Sequence, residues 1–539
     1  MSAWRGLCRW LLLAAVCPAA PSTASPSAAG GQDAVWIVHL SPRLRADDLS
    51  PTSLGWSPQE RAQRRQDVYR LCEERVKNAQ EHASAFILGQ EWGSAVAIER
   101  VWIQNALIVR IRSSETHRAL DSTLFFTDSL RWLPGVTEVE RDGDAGISLI
   151  IPSTEDIPSL HVTQHIADEP QKNIRLLHAP ELWKKGVEGE GVTIASIDSG
   201  VRYTHDALYQ TFRGRVSKAM ASERRVTFDY SFWFPSGTDV NKETPDTADE
   251  VGHGTHTVGT AVGQLGIGVA PKATWIAARA FDLHGAVKKS DFLLATQWVL
   301  CPTKVDGSHK NCSLGADVIT GSFGVDRSDV ETYKQWTWIT HILQVWRAAG
   351  SYAVFASGNT NGFKCGSVYY PANREESVAV GALIGGYTLW GASGKGPSIE
   401  DDEENGKMVI KPDFVAPGAA IRSALSTADS AYTRMTGTSM AAPHLTGLLA
   451  LLLSAAHKSK SFLVDADLLD SLRSTSSHEL SKPFLVPSKC GNTSYNQYPN
   501  NIYGSGLPDV CAAAKKAFGI ECVSTSTDRV TTNELMSVE

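Results

Sequence analysis

The chain has 539 residues, 42% of them hydrophobic, which is more than one ordinary domain needs and enough for a sizeable core. A formal net charge of -7, with no basic stripe carrying interleaved aromatics, excludes a general nucleic-acid binder. The chain opens with Arg5 and Arg9, a short apolar core over Leu11 to Val16, and then small residues. This pattern predicts a secretory signal peptide over 1–29, cleaved at about 20–29; it is too short and wrongly flanked for a membrane span. Nine cysteines follow no CxxC spacing, so zinc is not expected. An oxidising compartment would pair some of them. Cys301 and Cys312 flank the polar loop PTKVDGSHKN and form the first candidate pair. Asn311-Cys312-Ser313 and Asn492-Thr493-Ser494 fit the N-glycosylation triplet.

In chain order, AVWIVHL at 34–40 reads as a β-branched strand. The stretch from Ser57 to Ile87 reads as a long helix: a Ser-Pro start, strong helix formers, and Val68, Leu71, Cys72, Val76 and Ala79 at helical spacing. VAIERVWIQNALIVRI reads as two strands joined by a turn near Gln104-Asn105, SSETHRALDSTL as a helix, and GVTEVERDGD as a strand. The order β-α-β-β-α-β predicts a small α+β domain over 33–142 with no catalytic constellation of its own. Residues 143–173 are polar and read as a linker or activation region. From 174 to 519, apolar strands (GVTIASIDSGV, GADVITGSFG, SYAVFASGN) alternate with helices (THTVGTAVG, DFLLATQWVL, YKQWTWITHILQVWRAAG). Such runs predict a doubly wound, mostly parallel α/β sheet covered on both faces. Sites in such sheets form at the carboxyl ends of strands. The tail 520–539 is polar and reads as disordered.

Four polar residues stand where this architecture puts sites. Asp198 ends one strand, His253 opens a small-residue helix, Asn359 follows another strand, and Ser439 opens the apolar helix SMAAPHLTGLLALLLSAA. Each has an ordinary explanation: turn cap, core histidine, turn asparagine, helix cap. Their joint placement in one parallel-sheet domain does not. His253 and His256 lie three apart on one helix, but no HExxH pattern or third ligand accompanies them, so no metal is expected. The stretch PDTADE, with Asp246, Asp249 and Glu250, reads as an exposed acidic loop, with calcium as the alternative.

Taken together, SIDSGV, GHGTHTVG, SGN and GTSMAAPH resemble the subtilisin-like serine proteases in that family's order Asp, His, Ser; the stretches YTHDAL and GVAPKATWIAARAF look most like the bacillopeptidase F branch. The resemblance covers about 174–519. It implies Asp198, His253 and Ser439 as the triad and Asn359 as an oxyanion donor. It implies Ser322, Phe323 and Gly324, with Ala356, Ser357 and Gly358, as the extended segments lining a peptide-binding cleft. Phe323 stands where the family commonly has Leu or Trp, Gly321 where a larger residue is common, and SGNTNG where AGNxG is usual; these departures bear on specificity. The family requires no cofactor, with structural calcium an option. Its partners are protein or peptide substrates, and its N-terminal unit serves as inhibitory propeptide and folding aid. That unit's last strand, GVTEVERDGD, is expected in the cleft. The expected product is a secreted monomer that binds neither nucleic acid nor membrane. A catalytically silent family member acting as a binding or scaffolding protein is the rival.

Overall fold

Continuous apolar runs become the interior strands of one sheet, because each must be covered on two faces. The structure, a computed structural model, describes residues 34–42, 57–90, 93, 96–112, 123–152, 169–216, 224–326, 338–360, 364–399, 408–460, 465–483 and 486–522. The expected signal peptide, most of the tail and the middle of the expected linker lie outside these residues.

The N-terminal unit has strand β1 (Ala34–Leu40), helix α1 (Pro58–Leu88), strands β2 (Val96–Val101) and β3 (Ala106–Ile111), helix α2 (Thr123–Arg131) and strand β4 (Val136–Arg141). This is the expected order. The helix expected over 113–124 falls mostly outside the described residues. Its sheet runs β2-β3-β1-β4, all antiparallel. Trp36, Val38, Leu107 and Val109 face one apolar cluster with Ala83 and Ile87 of α1. The opposite side chains, Ile37 and Ile108, join a cluster shared with the rest of the chain. Helix α1 starts where its sequence directs: Ser57 and Glu60 cap one another reciprocally, and Pro58 fills the first turn. Leu71, expected inward, is exposed.

A further strand, β5 (Asp144–Leu149), follows in the segment expected to be a linker. The large sheet then takes β6 (Thr193–Asp198), β7 (Phe232–Trp233), β8 (Thr274–Arg279), β10 (Val318–Gly321), β12 (Tyr352–Ala356), β13 (Val378–Ile384), β14 (Thr388–Leu389) and β15 (Phe414–Pro417). It has eight strands in the order β14-β13-β12-β10-β6-β8-β7, with β15 also on β13; every pairing is parallel except β13 with β14. Alternate residues feed two cores. Ile194, Val318 and Val354 join the face covered by helices α3 (His253–Val262) and α6 (Thr438–Ser459). Ala195, Ile319 and Phe355 join the face covered by α4 (Lys289–Trp298) and α5 (Ile339–Ala348). Helix α6 is long and apolar enough to cross a membrane, but its apolar window is 100% buried in the protein, which makes it the central core helix. Disulfides join Cys301 to Cys312, Cys365 to Cys490 and Cys511 to Cys522; Cys72 is free and buried.

Candidate active site

The site lies at the carboxyl ends of the parallel strands. Asp198 is the last residue of β6, and His253 opens α3. Helix α3 can lie close to the β6 turn because residue 254 is glycine: a Cβ there would stand 2.0 Å from the Gly200 carbonyl oxygen. His253 Nδ1 is 2.7 Å from Asp198 Oδ1, and both side chains are buried. Asp198 is fixed in turn by the Ser199 amide at 2.7 Å and the Thr257 hydroxyl at 3.4 Å.

Burial disfavours the imidazolium, but the Asp198 charge and hydrogen bond, with Asp249 behind them, exceed that effect and hold the His253 pKa above the ordinary value. His256 behaves oppositely. It is buried with Nε2 2.9 Å from the Ile421 carbonyl oxygen, and burial pushes its pKa down to about 3. It is a neutral core histidine, as is His444, lowered by burial to about 4.

Ser439 sits in the first turn of α6, after Gly437. Pro443 has no N–H, so the Ser439 carbonyl lacks its usual helical donor four residues on. The Ser322 hydroxyl supplies one at 3.3 Å. Asn359 follows β12 and is held by its Oδ1, which accepts from the Thr438 amide at 3.0 Å and the Thr438 hydroxyl at 2.8 Å. Its Nδ2 is thereby turned outward, toward β5's continuation. Thr438 is a positioning residue that sequence reasoning missed. Its place beside Ser439 was the only hint.

The cleft is filled by the chain itself. Strand β5 lies between β9 (Ala286–Lys288) and β11 (Phe323–Gly324), antiparallel to both. The Leu149 amide donates to the Gly285 carbonyl at 3.0 Å and the Ile150 amide to the Ser322 carbonyl at 2.8 Å. The Ser439 hydroxyl donates to the Ile150 carbonyl at 2.6 Å, and Asn359 Nδ2 donates to the Ile151 carbonyl at 3.0 Å. Among the described residues, His253 Nε2 has no hydrogen-bond partner. Two expectations are corrected here. GVTEVERDGD does not enter the cleft, because β4 is spent as an edge strand on β1. The cleft strand comes from residues read as linker.

The structure thus joins Asp198 to His253, ties Asn359 to Thr438 beside Ser439 on the helix that packs against α3, and sets Ser322, Phe323 and Gly324 against β5. Ala356, Ser357 and Gly358 are close by but differently engaged. Ser357 exchanges backbone bonds with Val380 and Tyr369, and the Gly358 amide donates to the Thr438 hydroxyl. The acidic stretch is also corrected. Asp249 is buried, not exposed, and accepts from Ser199 Oγ, the Gly252 amide, and the Thr255 amide and hydroxyl. It braces the turn that delivers His253. Asp246 pairs with Arg202. Among the described residues no group of three or more His, Cys, Asp or Glu is placed to hold a metal ion.

Comparison with known proteins covers the segment that carries these residues. The model of the Subtilase family matches residues 189–506. Bacillopeptidase F of Bacillus subtilis (strain 168) is 34% identical over 351 residues, covering 63% of this chain and 22% of the relative. Subtilisin E of the same strain is 27% identical over 369 residues, 68% of this chain and 76% of the relative. The halolysin-like extracellular serine protease Nep of Natrialba magadii is 30% identical over 277 residues, 51% of this chain and 42% of the relative. The chain therefore spans less than a quarter of Bacillopeptidase F but most of Subtilisin E. With the family model matching more than half of its length, over the segment that carries the four site residues, the chain belongs to the subtilase family of serine proteases.

Proposed function

We propose that this chain is a secreted serine endopeptidase made as a self-processing zymogen. The observation that carries the reading is the convergence of Asp198, His253 and Ser439 at one end of the sheet, with His253 Nδ1 bonded to Asp198 and Asn359 beside the nucleophile. A serine hydroxyl is a weak nucleophile at neutral pH and needs a base. His253 takes the Ser439 proton on Nε2 as Oγ attacks the peptide carbonyl, and later gives it to the leaving amine. Asp198 fixes the tautomer and stabilises the imidazolium. Asn359 Nδ2 and the Ser439 amide bind the developing oxyanion; one such donor is typically worth roughly 3–4 kcal/mol. The start of α6 favours that negative charge through its unpaired amides. No cofactor enters any step.

The zymogen reading rests on β5. A strand added to the cleft with its carbonyls on Ser439 and Asn359 blocks substrate. In this conformation Ser439 donates to Ile150 and not to His253, so the nucleophile is not yet engaged with its base. Three disulfides support an oxidising compartment, in keeping with the signal-like leader.

The test is Ser439→Ala expressed in a host lacking other proteases. Turnover of peptide substrates should fall by about 10⁶-fold, the scale known for subtilisin itself, and the chain should accumulate as full precursor. Labelling of the processed wild type, but not of the variant, by a fluorophosphonate should accompany this. Normal processing of the variant would exclude self-cleavage, and absence of labelling would favour a silent scaffold.

A further inference from the structure

The strand in the cleft carries more than inhibition, because its side chains report what the cleft accepts. Along β5 and its continuation, Ala145, Ile147 and Leu149 are buried and Gly146 and Ser148 exposed, the alternation of an extended chain with one face docked. Ile147 and Leu149 join the apolar cluster containing Phe281, Phe292 and Phe323. Ile150, only 4% exposed, turns to the opposite cluster, on the face of α3 and α6. Ile151 then turns outward, 64% exposed, before Pro152 is buried again beside Gly437.

On the reading that Ser439 is a protease nucleophile, we infer that self-processing cuts the bond between Ile150 and Ile151, and that the mature enzyme prefers a branched aliphatic residue before the cleaved bond. Three observations converge on Ile150. Its amide is the last to bond the cleft wall, at the Ser322 carbonyl. Its carbonyl oxygen is the one that receives the Ser439 hydroxyl. Its side chain is the last one buried before the exposed Ile151. The next bond along is disfavoured, since the Ile151 side chain has no pocket and cleavage there would have to expel the nitrogen of Pro152. No charged side chain on β5 enters the cleft floor: Asp144 is exposed at the far end. An acidic or basic residue at the Ile150 position would therefore lose its hydration without gaining a partner.

The step balances as ordinary hydrolysis. Ser439 Oγ forms an ester with the Ile150 carbonyl carbon as the bond to the Ile151 nitrogen breaks. The hydroxyl proton travels through His253 to that nitrogen, which leaves as an amine. Water then converts the ester to the Ile150 carboxylate and returns a proton to Ser439. Asn359 Nδ2 now holds the Ile151 carbonyl, so the Ile150 oxygen must exchange Ser439 Oγ for the Asn359 amide before attack can occur. This one-carbonyl shift is the step that separates the latent precursor from the reacting one.

Mass spectrometry of the freshly processed full chain should find an N-terminal fragment ending at Ile150. Ile150→Val should process within a few-fold of wild type, whereas Ile150→Asp should slow processing at least about 100-fold. Independently, digestion of a diverse peptide library by the processed enzyme should enrich Ile, Val and Leu before the cut. Peptidase activity with a fragment ending elsewhere, or with a library preference for charged or aromatic residues before the cut, overturns the inference and leaves the protease assignment standing. Absence of any Ser439-dependent cleavage overturns both.

Discussion

At the residue scale, the least ordinary charge balance belongs to His253. Its pKa lies above the usual histidine value despite full burial, because the adjacent carboxylate at 2.7 Å outweighs desolvation. In the proposed mechanism only the neutral ring can accept the Ser439 proton, so turnover should be lost as pH falls through this raised pKa. The ascending limb of kcat/KM should lie at or above about pH 6.5, where an unperturbed histidine titrates. The stability effect has the opposite sense. A raised folded pKa stabilises the fold below the unfolded value, and that contribution is lost as pH rises through the folded one. Activity and this increment of stability therefore change in opposite directions over the same window. A pH–rate profile of the processed enzyme checks the first; an activity maximum near pH 4 would contradict a histidine base. Asp198→Asn should move the ascending limb to lower pH as well as slow the enzyme, because it removes the charge that raises the pKa.

At the element scale, helix α1 shows how a charged stripe becomes a docking face. Its first turns bury Arg61, Arg64 and Arg65. Arg61 Nε and Arg65 Nη1 each donate to Asp317 Oδ1 at 2.8 Å, and the Thr193 amide bonds the other oxygen at 2.8 Å. Burial works against the Asp317 carboxylate, yet the two guanidinium groups lower its pKa to about 2. The second nitrogens reach backbone carbonyls: Arg61 to Gly191 and Arg65 to Cys312, while Arg64 reaches Ala348. Removing one partner of such a buried pair leaves a charge unpaired and typically costs about 3–5 kcal/mol. Two arginines share Asp317, so losing either alone should cost less than half of what losing both does. In the Ser439→Ala precursor, R61A with R65A should lower Tm clearly, by several degrees, and Asp317→Asn in that background should restore part of the loss. A double variant as stable as the parent would show that the cluster contributes nothing. The same helix marks the limit of what sequence discloses. Its existence, its Ser57 start and the burial of Cys72 and Val76 follow from local pattern. Its buried arginines carry no local signal, because their carboxylate lies 256 and 252 positions away. Strand β5 was hidden for the same reason: DAGISL alternates like a strand, but β9 and β11 are distant in the chain. The four candidate site residues could be picked out because strand ends and short motifs are local. Asp249 was misread: its donors Gly252 and Thr255 are local, but the burial that makes it a brace comes with Ser199, 50 positions away.

At the scale of the whole molecule, three separate contacts tie the N-terminal unit to the large sheet domain. Strand β5 completes a three-stranded sheet in the cleft. The arginines of α1 hold Asp317, and Ser290 holds Asp142 through its hydroxyl and amide at 2.7 and 3.0 Å. Third, Ile37, Trp102, Ile103 and Ile108 share one apolar cluster with Phe292, Leu293 and Ile342. Only the first contact includes the bond proposed to be cut, and even that strand keeps its ladder up to Ile150 after the cut. Burying each large apolar side chain is worth about 1.5–3 kcal/mol, and several such groups outweigh an association cost of order 4–15 kcal/mol. Cleavage alone should therefore not release the unit. Freshly processed wild-type chain should elute from a sizing column as one species containing both fragments, with peptidase activity suppressed. Activity should appear only as the N-terminal fragment is itself degraded, and R61A with R65A should shorten that lag. Separate elution of the fragments, with full activity at the moment of cleavage, would show that the three contacts do not hold the unit once the chain is cut.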